Sequence, residues 1–182
     1  RRFDEVLQAL RAGEVDVASS VYQSPGRAQQ LLFSNSYLRL PAALIAAGDS
    51  GAITQLSELR GRPIAVVQGH VWQELLATAG YSAELRPSPS IKSALTEVAE
   101  GRAAAYVGDL LSADPVLRKT GLSARLRVVG PSGLEAEIAF AMRLDRPELK
   151  RVLDQALASI TVAEEAALRA RWEGPNALAE SD

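Results

Sequence analysis

Arg27 is the side chain in this sequence best placed to act on a ligand. Ser24-Pro25 just before it reads as a helix start: a capping oxygen, then a proline whose missing N–H costs nothing in a first turn. Val15 to Ala18 is a short strand candidate ending in Ser19 and Ser20. Arg27 therefore falls in the first turn of a short helix just past a strand end, the place where open α/β sheets bind ligands. Its planar fork of donors suits a carboxylate. The other reading is a surface arginine on a solvated turn. His70, the only histidine, follows Gly69 at the start of another helix candidate. An imidazole there tends to stay neutral, and free N–H groups would face an anion. It reads equally well as a partly exposed first-turn residue. His70 and Glu74 stand four apart and would share a helix face, but a structural zinc needs further ligands and none is in sight.

The acidic pairs and the tryptophans read as structural. Asp4-Glu5 and Glu164-Glu165 are neighbours on helix candidates, so their carboxylates do not face each other. Trp72 and Trp172 read as core anchors. There is no G-x-S-x-G, no phosphate loop and no dinucleotide fingerprint. No catalytic residue, cofactor or metal is expected. With 20 basic against 22 acidic residues, the net charge of −2 gives no electrostatic case for nucleic acid or an anionic membrane. The absence of cysteine excludes a disulfide framework and thiolate chemistry. No apolar run approaches the roughly 20 residues of a membrane span, and no signal peptide is recognisable.

The elements that must position these residues follow in order. Phe3, Val6, Leu7 and Leu10 recur at helical spacing and Gly13 stands where the helix would stop. The chain opens on Arg1-Arg2-Phe3, already inside this helix, and reads as a fragment of a longer protein. Leu40 to Gly48 is an apolar run whose length and following turn, Gly48-Asp49-Ser50-Gly51, favour a strand over a buried helix. Thr54 to Arg60 reads as a short helix. Ile64 to Gln68 has the continuous apolarity of a strand buried on both faces, and a helix from about His70 to Ala79 stops at Gly80. Ala83 to Arg86 is a strand, and Ser90 caps a helix with Ile91, Ala94, Leu95, Val98 and Ala99 on one face. Ala103 to Val107, Arg125 to Gly130 and Glu137 to Arg143 are further strands. Alternation of strand and helix implies βαβ units and a parallel sheet. Glu148 to Ile160 is a helix with Leu149, Val152, Leu153, Ala156, Leu157 and Ile160 in one stripe. Thr161 and Glu164 form a capping box for the last helix.

Several of these segments also resemble a known family. The order GEVDV, strand, x-x-R, FS-x-x-Y, then LRGRPIAVVQG and GRAAAYVGDL, resembles solute-binding protein family 3, the periplasmic-binding-protein type II clamshell that binds polar amino acids. The resemblance runs from Gly13 to Trp172. AYVGDLLSA and LASITVAEEAALRARW further resemble the periplasmic Venus-flytrap sensor domains of BvgS-like sensor histidine kinases. The resemblance implies an α/β fold of two lobes: residues 1–43 as an incomplete first part of lobe 1, 47–135 as lobe 2, 139–174 as the return to lobe 1, and 175–182 as a polar tail. It implies crossings near Ala43 to Ala46 and Ile138 to Phe140, and that the family's N-terminal segment of lobe 1 is missing.

By the same resemblance, Arg27 holds the ligand's carboxylate and Asp109 its ammonium, with Ser20 and the Gly69-His70 turn completing the site. Ala104 stands where the family has another aspartate. Tyr22 stands where many relatives have a small hydroxyl residue on the ligand; it can shrink the pocket, stack on a ring, or be packing. The implied function is non-catalytic sensing of a small amino acid or carboxylate in the periplasm, by a domain tethered to the membrane in a signalling protein and without nucleic-acid partners. A homodimer stays open. The alternatives are a solute-binding protein of an amino-acid ABC importer and a cyclohexadienyl-dehydratase-like enzyme, the latter needing a general acid in the cleft that no residue obviously supplies.

Overall fold

A computed structural model describes residues 3–48 and 53–173. Asp49-Ser50-Gly51, the tail 175–182 and the side chains of Asp4 and Trp172 lie outside the described residues. The chain divides into two compact units. One takes Arg1–Ser20, Gln30–Tyr37 and Ala139–Asp182; the other takes Val21–Gln29 and Leu38–Ile138.

In the first unit, α1 (Phe3–Ala12) buries Leu7, Ala9 and Leu10. It ends at Gly13, whose φ of +77° closes the last turn through Gly13 N–H on the Leu10 carbonyl (3.2 Å) and Glu14 N–H on that of Ala9 (2.9 Å). A side chain at Gly13 would run into the Arg143 guanidinium. Strand β1 (Val17–Tyr22) begins later than its apolar residues suggest and continues through Ser19 and Ser20. The serines read locally as a turn, but β1 lies beside β7 (Leu126–Arg143) in the sheet, and that pairing carries the extended chain onward. Strand β2 (Leu31–Phe33) also pairs antiparallel with the end of β7, Leu31 opposite Arg143 and Phe33 opposite Ala141.

Helix α6 (Pro147–Ser159) forms where its periodicity predicts, yet buries none of its residues fully. Leu149, Leu153 and Leu157 are half-buried, while Val152 and Ile160 are 57% and 44% exposed. Helix α7 (Val162–Glu173) is set by its box: Thr161 N–H donates to Glu164 Oε2 (2.9 Å) and Glu164 N–H to Thr161 Oγ1 (3.2 Å).

The second unit is an α/β sandwich. Strands β4 (Ile64–Val67), β5 (Leu85–Ser88) and β6 (Ala105–Asp109) are parallel, with β4 between the other two. Strand β3 (Leu38–Ala47) joins β6 antiparallel, Ala42 opposite Asp109, and carries β7 antiparallel on its other side. The sheet is therefore mixed, and parallel only where helices make the crossovers. Period-two alternation sorts the core. Leu44, Ile64, Val66 and Val107 face one layer with Trp72, Leu76 and Tyr81. Ile45, Ala65 and Tyr106 face the other, under α4 (Ile91–Ala99) and α5 (Leu110–Thr120).

Other segments also depart from the sequence reading. The helix expected over His70 to Ala79 is α3 (Val71–Leu76), followed by a wider π turn over Ala77–Tyr81. Helix α5 has no counterpart in that reading. Pro115 inside it argues against a helix, whereas Asp109 three residues before Ser112 is the cap that announces one.

The two strands read over Arg125 to Gly130 and Glu137 to Arg143 are one, β7, because its ladder with β3 absorbs Pro131 at register shifts between Pro41 and Ala43 and between Leu44 and Ile45. Gly130 within it lies against the Thr54 backbone carbonyl, which leaves no space for a Cβ. Gly130→Ala is expected to lower stability by about 1–3 kcal/mol, the usual cost of overpacking. A lower urea midpoint at constant slope would report it.

Candidate ligand-binding site

Five of the six expected site residues come together in the second unit, at the ends of β1, β4 and β6. The start of α2 (Pro25–Ala28) is fixed by Ser24, whose Oγ accepts the Arg27 N–H at 3.3 Å, so the predicted cap is present. The cap aims the Arg27 guanidinium back at the sheet. Its Nη1 donates to the Tyr22 carbonyl (2.9 Å) and its Nη2 to the Gly69 carbonyl (3.3 Å). Partial burial lowers the guanidinium's proton affinity, and the charge of Glu74 opposes that. Glu74 sits nearby because its Oε1 accepts the Gly26 N–H at 2.9 Å. Any second carboxylate must share the guanidinium with it.

Asp109 is only 2% exposed. As cap of α5 its Oδ1 accepts the Ser112 N–H at 2.8 Å. Its Oδ2 accepts the Tyr22 hydroxyl at 3.1 Å and the Trp72 indole N–H at 3.4 Å. The Tyr22 ring meets Trp72 edge-on (centroids 5.8 Å apart, 62°) and lies 6.4 Å from the His70 ring. Burial, then the adjacent Asp109 charge, pushes the Tyr22 phenol well above its ordinary range, so it stays a donor.

Gly69 lies in the turn after β4; its N–H donates to Gln73 Oε1 (2.9 Å) and its carbonyl accepts from Arg27 (3.3 Å). His70 follows as cap of α3 without a side-chain capping bond. Its Nδ1 is buried and has no partner among the described residues. Burial holds His70 below its ordinary value of 6.5; Asp109 raises it and Arg27 lowers it further.

A base kept neutral in the fold charges more readily once unfolded. Stability is then fully present above pH 6.5 and falls as pH drops below it. Between pH 7 and 5, a urea-midpoint series is expected to show this loss in the parent and a flatter profile in His70→Gln.

Ser20 belongs to the first unit and is not part of this cluster. Its φ of +57° is unusual for a residue with a side chain. Its N–H donates to the Tyr37 hydroxyl at 2.8 Å. His70 and Glu74 find no third metal ligand, and no group of three candidate ligands occurs among the described residues. Trp72 is the participant the sequence reading left in the core. It is in the core, at 1% exposure, and also binds the carboxylate.

Comparison with known proteins gives the family and the fold. The model of the bacterial extracellular solute-binding proteins, family 3, matches residues 1–175. The virulence sensor protein BvgS of Bordetella bronchiseptica is 31% identical over 172 residues, which is 94% of this chain but 14% of that protein. A crystal structure of a histidine kinase sensor domain similar to periplasmic binding proteins superposes with a TM-score of 0.80 at 29% identity, covering 94% of this chain and 75% of that one. The periplasmic VFT2 domain of Bordetella pertussis BvgS gives 0.79 at 30% identity, with 93% and 72% covered. The fold is that of type II periplasmic binding proteins.

Proposed function

The chain belongs to the bacterial extracellular solute-binding proteins of family 3, and on that premise we propose that it is the periplasmic ligand-sensing domain of a membrane-bound signalling protein. The ligand is a small carboxylate or amino acid, bound without chemical turnover. The observation that carries the reading is the Arg27 guanidinium, pinned by two carbonyls of the same unit beside His70, whose buried Nδ1 has no partner among the described residues. That is a rigid, preorganised cation, which binds a planar anion at little ordering cost. The sensor-domain character of the similar proteins supports the signalling role. Among the described residues no helix is long and apolar enough to cross a membrane, so the tether is a feature proposed for the full-length protein. The test is isothermal titration of the chain with a panel of small carboxylates and amino acids. Saturable binding by at least one is the expected result, and no heat from any of them overturns the reading.

A further inference from the structure

The Asp109 carboxylate is already in use. A carboxylate offers about four acceptor positions. Here three are taken by protein donors: the Ser112 N–H, the Trp72 indole and the Tyr22 hydroxyl. Two of these cannot leave cheaply. The Ser112 bond caps α5, and Trp72 is locked in the core at 1% exposure. Tyr22 is the half-buried one of the two side-chain donors; its ring lies 6.4 Å from the His70 ring and its backbone carbonyl accepts from Arg27 Nη1.

We propose that Tyr22 is a specificity-determining residue: by holding Asp109 it withdraws the counter-charge an α-ammonium would need, and so restricts the ligand to carboxylates without a neighbouring ammonium group. The inference rests on the carboxylate reading of Arg27. An ammonium brought here would lose its water and meet an acceptor facing other donors, which is the costly way to bury a charge. A carboxylic acid lacking that group makes no such demand.

The test uses titration calorimetry with matched pairs: L-alanine and propionate, L-glutamate and glutarate, L-phenylalanine and 3-phenylpropionate. The parent is expected to bind at least one desamino acid about tenfold or more tighter than its amino acid, the ratio carried by one hydrogen bond to a charged group. Tyr22→Phe keeps the ring and its packing but frees one acceptor position on Asp109 Oδ2, and is expected to narrow that ratio. Tyr22→Ser also opens the space and is expected to reverse it. An amino acid bound by the parent as tightly as its desamino partner overturns the inference while the carboxylate reading stands. Unchanged discrimination in both variants overturns it as well. A parent that binds no acid of any pair overturns the inference together with the reading beneath it.

Discussion

Trp72→Ala is expected to remove about 3–5 kcal/mol of stability, the range for truncating a buried aromatic. Trp72 is 1% exposed and packs with Leu44, Val66, Leu76, Tyr81 and Val107 between the sheet and α3. Its loss leaves a large cavity that the rigid strands cannot fill by collapsing. Its indole N–H also holds Asp109 Oδ2 at 3.4 Å and its ring holds Tyr22 edge-on, so the polar cluster loosens with the core. Trp72→Phe separates the two contributions. It keeps much of the apolar volume and loses the donor, and should cost about 1–3 kcal/mol, the cost of one lost hydrogen bond to a charged group plus a smaller void. Urea denaturation followed by far-UV circular dichroism measures both. A loss under about 1 kcal/mol for Trp72→Ala would mean that this layer is not the unit's core.

Arg27→Ala is expected to weaken binding of a carboxylate ligand by about 2–5 kcal/mol, roughly thirtyfold to several thousandfold. Removing the guanidinium leaves the ligand's charge desolvated with no cation, and leaves Glu74 as an uncompensated like charge beside it. Arg27→Lys keeps the charge but cannot bond the Tyr22 and Gly69 carbonyls as a planar fork. It should recover only part of the loss. Because those two bonds also brace α2, each variant's urea midpoint must be measured beside its affinity. A carboxylate bound by Arg27→Ala as tightly as by the parent, in a protein of unchanged stability, would place the site elsewhere.

The local chemistry was legible from the residues alone. Ser24, Ser90 and the Thr161–Glu164 pair cap their helices as read, because a capping bond spans three residues and depends on little else. The continuous apolar run Ile64 to Val67 lies in a strand buried on both faces, as such runs require. The placement of Arg27 past the end of a strand followed from the same local signals, and family resemblance added Asp109.

What tertiary structure decided is what joins distant residues. Tyr22 and Asp109 lie 87 positions apart, so no periodicity could show that the phenol occupies the carboxylate. Trp72 read as core and proved to be core and hydrogen-bond donor together, since its two ends meet different partners. Strand β7 is single because β3 pairs with it from Leu126 to Ile138 and tolerates Pro131 at a register shift, whereas the local proline and glycines argue for a break. The stripe on α6 shows the converse. Helical spacing determines which residues share a face, but burial depends on what lies against that face, and here Val152 and Ile160 remain open to solvent.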